Sequence, residues 1–312
     1  MTIDPEMAAY LEATAIAMRA IGLPGPDAPP DVERDFQERV SLATRTGPLP
    51  VANVADRWIE ARGRRIFCRV YRPANAAGLP VIVYFHGGGW YFSSVDTHDG
   101  IARMLANESR AVVVSVDYAR SPEAKFPQAL EECAAVAAHL AGHGAAWNID
   151  GSRIVLAGDS AGATLALGAA LLLRDRQGPP LRGVFAAYPI CDSDFTTESY
   201  RKYANGFPLT ADKMVFFWHH YVRDPADMLH PLAAPLRADL RGLPAVYLAV
   251  AELDVLQCEG LALAHRLAAA GVEVICDQIE GLTHGFLRAT AQVTKARDAA
   301  ARAGRWLRGV LE

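Results

Sequence analysis

Several protein classes are excluded by what this sequence lacks. Its five cysteines, Cys68, Cys133, Cys191, Cys258 and Cys276, are odd in number, far apart and form no Cys-x-x-Cys pair. A disulfide framework or zinc knuckle is therefore not expected, and scattered thiols fit a reducing compartment. A basic excess is missing too: 31 Lys and Arg stand against 35 Asp and Glu, a net charge of −4. Proteins that live on nucleic acid carry the opposite footprint, so no nucleic-acid partner is expected. The longest apolar stretch, residues 161–173, includes Gly162, Thr164 and Gly168. It falls short of the roughly 20 residues that span a bilayer, so no stable membrane insertion is expected. Residues 1–6 show no basic stretch leading into an apolar one, so no secretory signal is read and a cytoplasmic location is expected.

What is present suits a globular fold. Hydrophobic residues make up 51% of the 312 and charged residues 21%, enough for a substantial core. Residues 1–50 stand apart: helical spacing over 7–21, a Pro/Gly-rich break at 23–30, and a second short helix at 31–42. From residue 58 the pattern changes: 66–71 alternates apolar and polar residues, as a half-buried strand does, and apolar runs rich in β-branched residues follow at 81–85, 111–116, 153–157, 184–187, 245–250 and 273–279. Helical stretches separate them at 98–109, 127–141, 161–174, 257–270 and 290–311. Continuous apolar strands alternating with helices imply a mostly parallel sheet covered on both faces, a single α/β domain. No strand is read between Tyr188 and Leu243. An amphipathic helix at 210–222 there, with Met214, Phe217, Trp218 and Tyr221 at helical spacing, suits either a roof over a pocket or plain packing onto the body.

Gly158-Asp159-Ser160-Ala161-Gly162 fits G-x-S-x-G and lies between a strand and a helix. That context makes a nucleophile elbow: a sharp turn that exposes the serine Oγ at the C-terminal end of the sheet. The N–H of Ala161 points to the same spot from the helix N-terminus. His86-Gly87-Gly88-Gly89-Trp90 follows directly on the strand at 81–85. Consecutive glycines let backbone N–H groups approach a ligand, as the rest of an oxyanion hole requires. The rival, a phosphate-binding loop, lacks both G-x-G-x-x-G opening a helix and G-K-[ST]. His86 is read as a structural histidine of the loop.

The serine needs a base, and the base needs an orienter. The chain order in this fold class is serine, acid, histidine. His86, His98, His139 and His143 precede Ser160, while His219, His220, His230 and His265 lie on the insertion or inside a helix. His284 remains, in a loop just after the strand at 273–279. Asp254, at the end of the strand at 245–250, is the candidate acid. Glu252 is the runner-up and reads as a local rim contact.

Together these motifs resemble the hormone-sensitive-lipase-like esterases of the α/β-hydrolase fold, the bacterial family IV. Further marks of the resemblance are Asp96-Thr97-His98-Asp99, Asp117-Tyr118 with Pro122-Glu123 and Phe126-Pro127, Asp254-Val255-Leu256 and His284-Gly285-Phe286. Departures fall at Ser93, Ala119, Val255 and Gln257-Cys258, around the pocket rim. The resemblance implies Ser160, Asp254 and His284 as catalytic residues and the N–H groups of Gly88, Gly89 and Ala161 as the oxyanion hole. It implies an N-terminal cap segment at 1–50, a catalytic domain at 51–312 and a helical cap insertion at about 190–240. The expected activity is hydrolysis of short- to medium-chain carboxylic esters through an acyl-enzyme; amide, carbamate or lactone hydrolysis by the same triad is the alternative. A binding protein on a hydrolase scaffold is disfavoured, because such relatives lose the serine or histidine. Neither metal nor cofactor is needed. Trp90, Phe207, Phe216 and Phe217 are candidate substrate-binding side chains. The partner is a small-molecule ester, and a homodimer fits the family.

Overall fold

A computed structural model describes residues 2–25 and 28–312. The strands are β1 (Asn53–Ala61), β2 (Arg64–Arg72), β3 (Leu79–Phe85), β4 (Val112–Asp117), β5 (Ile149–Asp159), β6 (Gly183–Ala187), β7 (Ala245–Leu253) and β8 (Val274–Thr283). The α-helices are α1 (Pro5–Ile21), α2 (Pro30–Thr44), α3 (Asp99–Ser109), α4 (Gln128–His143), α5 (Ala161–Asp175), α6 (Glu198–Lys202), α7 (Ala211–Tyr221), α8 (Gln257–Ala269) and α9 (Thr294–Leu311). The strands form one eight-stranded sheet in the order β1-β2-β4-β3-β5-β6-β7-β8. β1 and β2 join antiparallel, and the remaining pairs from β4 to β8 are parallel.

The apolar runs become central strands because alternate residues face opposite layers, and both layers are covered. Val81, Val83 and Phe85 of β3, with Val112, Val114 and Val116 of β4, pack into the core shared with Leu130 of α4, Leu165 of α5 and Leu263 of α8. Their neighbours Ile82, Tyr84 and Val113 enter the opposite core with Leu105 of α3 and Leu307 of α9. α9 presents a small-residue face, Ala296, Ala299, Ala300, Ala303 and Gly304, to that core. At Gly304 a Cβ would lie 2.4 Å from Glu108 Cβ, so glycine is what lets α9 close on α3.

The strand order reverses at β3. The chain leaves β3 through α3 to β4 on one side, then returns through α4 to β5 on the other. The C-terminal ends of β3 and β5 therefore flank a switch point, where open α/β sheets place their sites. Between β6 and β7 there is no strand among the described residues, and α6 and α7 occupy the insertion. α7 buries Met214, Phe217, Trp218 and Tyr221. α1 and α2 bury far less: Met7 from the first, Phe36 and Val40 from the second.

Candidate active site

β5 and α5 meet at Ser160, which has φ +53° and ψ −124° and is 7% exposed. This left-handed backbone is costly for a residue with a Cβ. Its surroundings hold it there: Ser160 N donates to Ala187 O at 2.8 Å, and Ala163 N and Thr164 N donate to Ser160 O. The flanking glycines have no room for a side chain. A Cβ on Gly158 would lie 2.3 Å from Gly162 C, and one on Gly162 would lie 2.0 Å from Phe85 O.

β7 and β8 deliver the two partners. After a bulge, Leu253 pairs with Thr283, so the next residue of each strand, Asp254 and His284, leaves the sheet side by side. His284 Nδ1 lies 2.7 Å from Asp254 Oδ2, and Nε2 lies 2.9 Å from Ser160 Oγ. A carboxylate only accepts, so Nδ1 carries the proton and Nε2 keeps a lone pair for the serine hydroxyl. Asp254 is 2% exposed, and its Oδ1 accepts from Leu256 N at 3.1 Å. Glu252 makes a rim contact instead, accepting from Gly281 N at 2.7 Å.

Gly88 (φ +118°) and Gly89 (φ +60°) form the turn after β3. Among the described residues, the N–H groups of Gly88, Gly89 and Ala161 donate to no protein acceptor. Gly89 and Ala161 are buried and Gly88 is half-buried, and buried backbone donors are almost always paired, so these N–H groups are candidates for an acceptor that the chain does not supply.

Asp159, the residue before the serine, ties the two loops together and was not legible as a site residue. Its Oδ1 accepts from Gly87 N at 2.8 Å and from the Tyr84 hydroxyl at 2.6 Å. Burial raises its carboxyl pKa, but His98, the Tyr84 hydroxyl and the Arg288 charge outweigh that and hold it below the usual carboxylate range. A Cβ on Gly87 would sit 2.6 Å from this carboxylate, which explains glycine there. His86 is fully buried, with Nδ1 2.8 Å from Gly87 O and its ring stacked on Tyr118. Burial pushes its pKa well down, and it does not reach Ser160.

The four aromatic candidates divide. Phe217 of α7 lies over Gly89, so close that a Cβ there would sit 2.4 Å from the ring. Trp90 is fully buried, stacked 3.9 Å from Tyr221 and edge-on to Trp218; its ring fastens the glycine loop to α7. Phe216 packs on Tyr91 and His220, and Phe207 on Tyr203. Among the described residues, no group of three or more His, Cys, Asp or Glu could hold a metal ion, and no helix is long and apolar enough to cross a membrane.

Comparison with known proteins gives concordant matches. A family model described as alpha/beta hydrolase fold matches residues 82–288. The carboxylesterase NlhH of Mycobacterium tuberculosis is 37% identical over 267 residues, 84% of each chain. An arylesterase of Saccharolobus solfataricus is 33% identical over 268 residues, 84% of this chain and 87% of the relative. Among solved structures, a thermostable esterase from Pseudomonas putida superposes with a TM-score of 0.93 at 35% identity, covering 100% of this chain and 98% of that one.

Proposed function

The chain belongs to the alpha/beta hydrolase fold family, in its hormone-sensitive-lipase-like carboxylesterase branch, and is a carboxylic-ester hydrolase. From that premise we propose that it cleaves short- to medium-chain esters through Ser160, His284 and Asp254, by way of an acyl-enzyme. The observation that carries this reading is the unbroken line from Asp254 Oδ2 to His284 Nδ1, and from His284 Nε2 to Ser160 Oγ, at 2.7 and 2.9 Å.

In this mechanism Ser160 Oγ attacks the ester carbonyl as His284 Nε2 takes its proton. Asp254 fixes the tautomer and stabilises the imidazolium that forms. The carbonyl oxygen becomes an oxyanion and accepts from the N–H groups of Gly88, Gly89 and Ala161, each contributing about 3 kcal/mol to the transition state. The tetrahedral intermediate collapses, the C–O bond to the alcohol breaks, and His284 returns its proton to the leaving oxygen. Water then attacks the acyl-enzyme by the same route, releasing the acid and free Ser160. The N-terminal segment and the insertion roof the site, and the α7 aromatics favour an apolar acyl or alcohol group.

The test is Ser160→Ala. Turnover of a short acyl ester falls by about 10⁴-fold or more, and labelling by a fluorophosphonate probe disappears. Near wild-type turnover in that variant would sink the reading.

A further inference from the structure

α2 reaches the residues that follow the glycine turn through Arg34. Its Nε donates to Tyr91 O at 2.9 Å and its Nη2 to Ser121 O at 2.7 Å. Nη1 and Nη2 also donate to the two carboxylate oxygens of Glu123, at 2.8 and 2.7 Å. The guanidinium carbon sits 5.5 Å from the centre of the Tyr91 ring. A planar fork bonded at all three nitrogens is fixed in position and in orientation, unlike a point charge. Glu123 is mostly exposed, so it orients the fork while the two carbonyls are the groups held.

Those carbonyls belong to the residues that shape the glycine turn. Tyr91 N and Phe92 N both donate to Gly88 O, at 3.0 and 2.8 Å. Ser121 donates to Trp90 O through its N–H at 2.8 Å and its hydroxyl at 3.1 Å. Gly88 C=O and Gly89 N–H are opposite ends of one planar trans peptide unit. Fixing Gly88 O toward Tyr91 and Phe92 therefore turns the Gly89 N–H the other way, out of the turn. Glycine supplies no side chain to stiffen this unit, so its direction depends on what surrounds it.

We propose that Arg34, oriented by Glu123, is a positioning residue that sets the direction of the Gly89 N–H from outside the hydrolase core. This rests on the reading of that N–H as an oxyanion donor. Arg34 touches no reacting atom; it acts through Tyr91 and Ser121. The N-terminal segment is then part of the scaffold of the oxyanion hole as well as a roof. Arg34, Arg64, Arg120, Glu123 and Gln128 line an open cleft of about 320 Å³, so a small cation can reach the place that the Arg34 side chain would vacate.

The experiment measures kcat and KM on p-nitrophenyl acetate, and affinity for a trifluoromethyl ketone whose serine adduct carries an oxyanion. The variants are Arg34→Ala, Arg34→Lys, Glu123→Gln and Ser160→Ala. Arg34→Ala lowers kcat roughly 10- to 100-fold and leaves KM within about threefold, because a misdirected donor is lost to the transition state rather than to ground-state binding. Affinity for the ketone falls in parallel, and millimolar guanidinium restores part of kcat in Arg34→Ala but not in the wild type. Arg34→Lys keeps the charge without the fork and stays impaired; Glu123→Gln loses a few-fold, on the order of threefold. Wild-type kcat and ketone affinity in Arg34→Ala overturn the proposal, as does a loss confined to KM. Should Arg34→Ala not fold, the same two outcomes are read from Arg34→Lys. Activity surviving in Ser160→Ala sinks the underlying reading, whereas an inactive Ser160→Ala beside wild-type Arg34 variants sinks this inference alone.

Discussion

Two segments flank the site outside the sheet, and they are attached by different physics. The insertion between β6 and β7 is held by buried rings: Trp218 is fully buried, Tyr221 stacks on Trp90, and Phe217 lies on Gly89. The N-terminal segment buries only Met7, Phe36 and Val40 from its helices and leans more on polar contacts. Arg34 grips two carbonyls and Glu123, Asp4 N donates to Gly281 O at 2.9 Å, and Glu6 accepts from Thr294 N at 2.6 Å. Area burial is strong and indifferent to salt and pH, while exposed charge contacts are weak and respond to both. The insertion is thus an extension of the core, and the N-terminal segment is a separately tunable part.

The contrast can be broken by mutation. Trp218→Ala removes the largest buried ring of α7, and unfolding free energy should fall by about 3–5 kcal/mol. Denaturant melts would show this; a loss under about 1 kcal/mol would mean that the insertion is no part of the core. An intermediate effect is expected from acid. Arg34, first through its hydrogen bonds, lowers the Glu123 pKa from 4.5 to about 2. A carboxylate with a depressed folded pKa stabilises above its unfolded value and loses that contribution as pH falls through the folded one. Protection factors of α2 amides, measured against intrinsic rates at each pH, should therefore fall between about pH 4.5 and 2 while those of α7 hold; equal loosening of both helices would erase the distinction. The smallest effect belongs to Glu6, which caps α9 from another helix. Glu6→Ala should cost about 0.5–1 kcal/mol in a thermal or denaturant melt, and a cost as large as that of Trp218→Ala would overturn the ranking.

Legibility in the sequence followed the range of the interactions. The central strands and the three candidate catalytic residues stood out because continuous β-branched runs and a strand–turn–helix motif are local signals. β1 was missed. As an edge strand it buries only Ile59 fully and exposes Trp58 at 53%, so its apolar pattern is faint. α6, with five residues, is too short for periodicity to register. Asp159 occupies the variable position of its motif, and only the fold brings its carboxylate to Gly87. Arg34 has no sequence signal at all, because its partners Tyr91, Ser121 and Glu123 lie 57 to 89 residues away. Trp90, adjacent to the glycines, is a substrate-binding candidate in the sequence; in the fold its ring is fully buried and stacked on Tyr221 of α7, a contact no local pattern announces.

The pairing of β7 with β8 has a consequence for biosynthesis. His284 lies 124 residues after Ser160, just past the end of β8, and Asp4 N bonds to the same strand at Gly281 O. Vectorial synthesis, at about 5–20 residues per second, makes the Ser160 segment several seconds before His284 exists as chain. Until then the growing polypeptide holds Ser160 without its hydrogen-bond partner His284. On the proposed mechanism, competence waits for β8 and the residue that follows it, and a product truncated before that strand is inert.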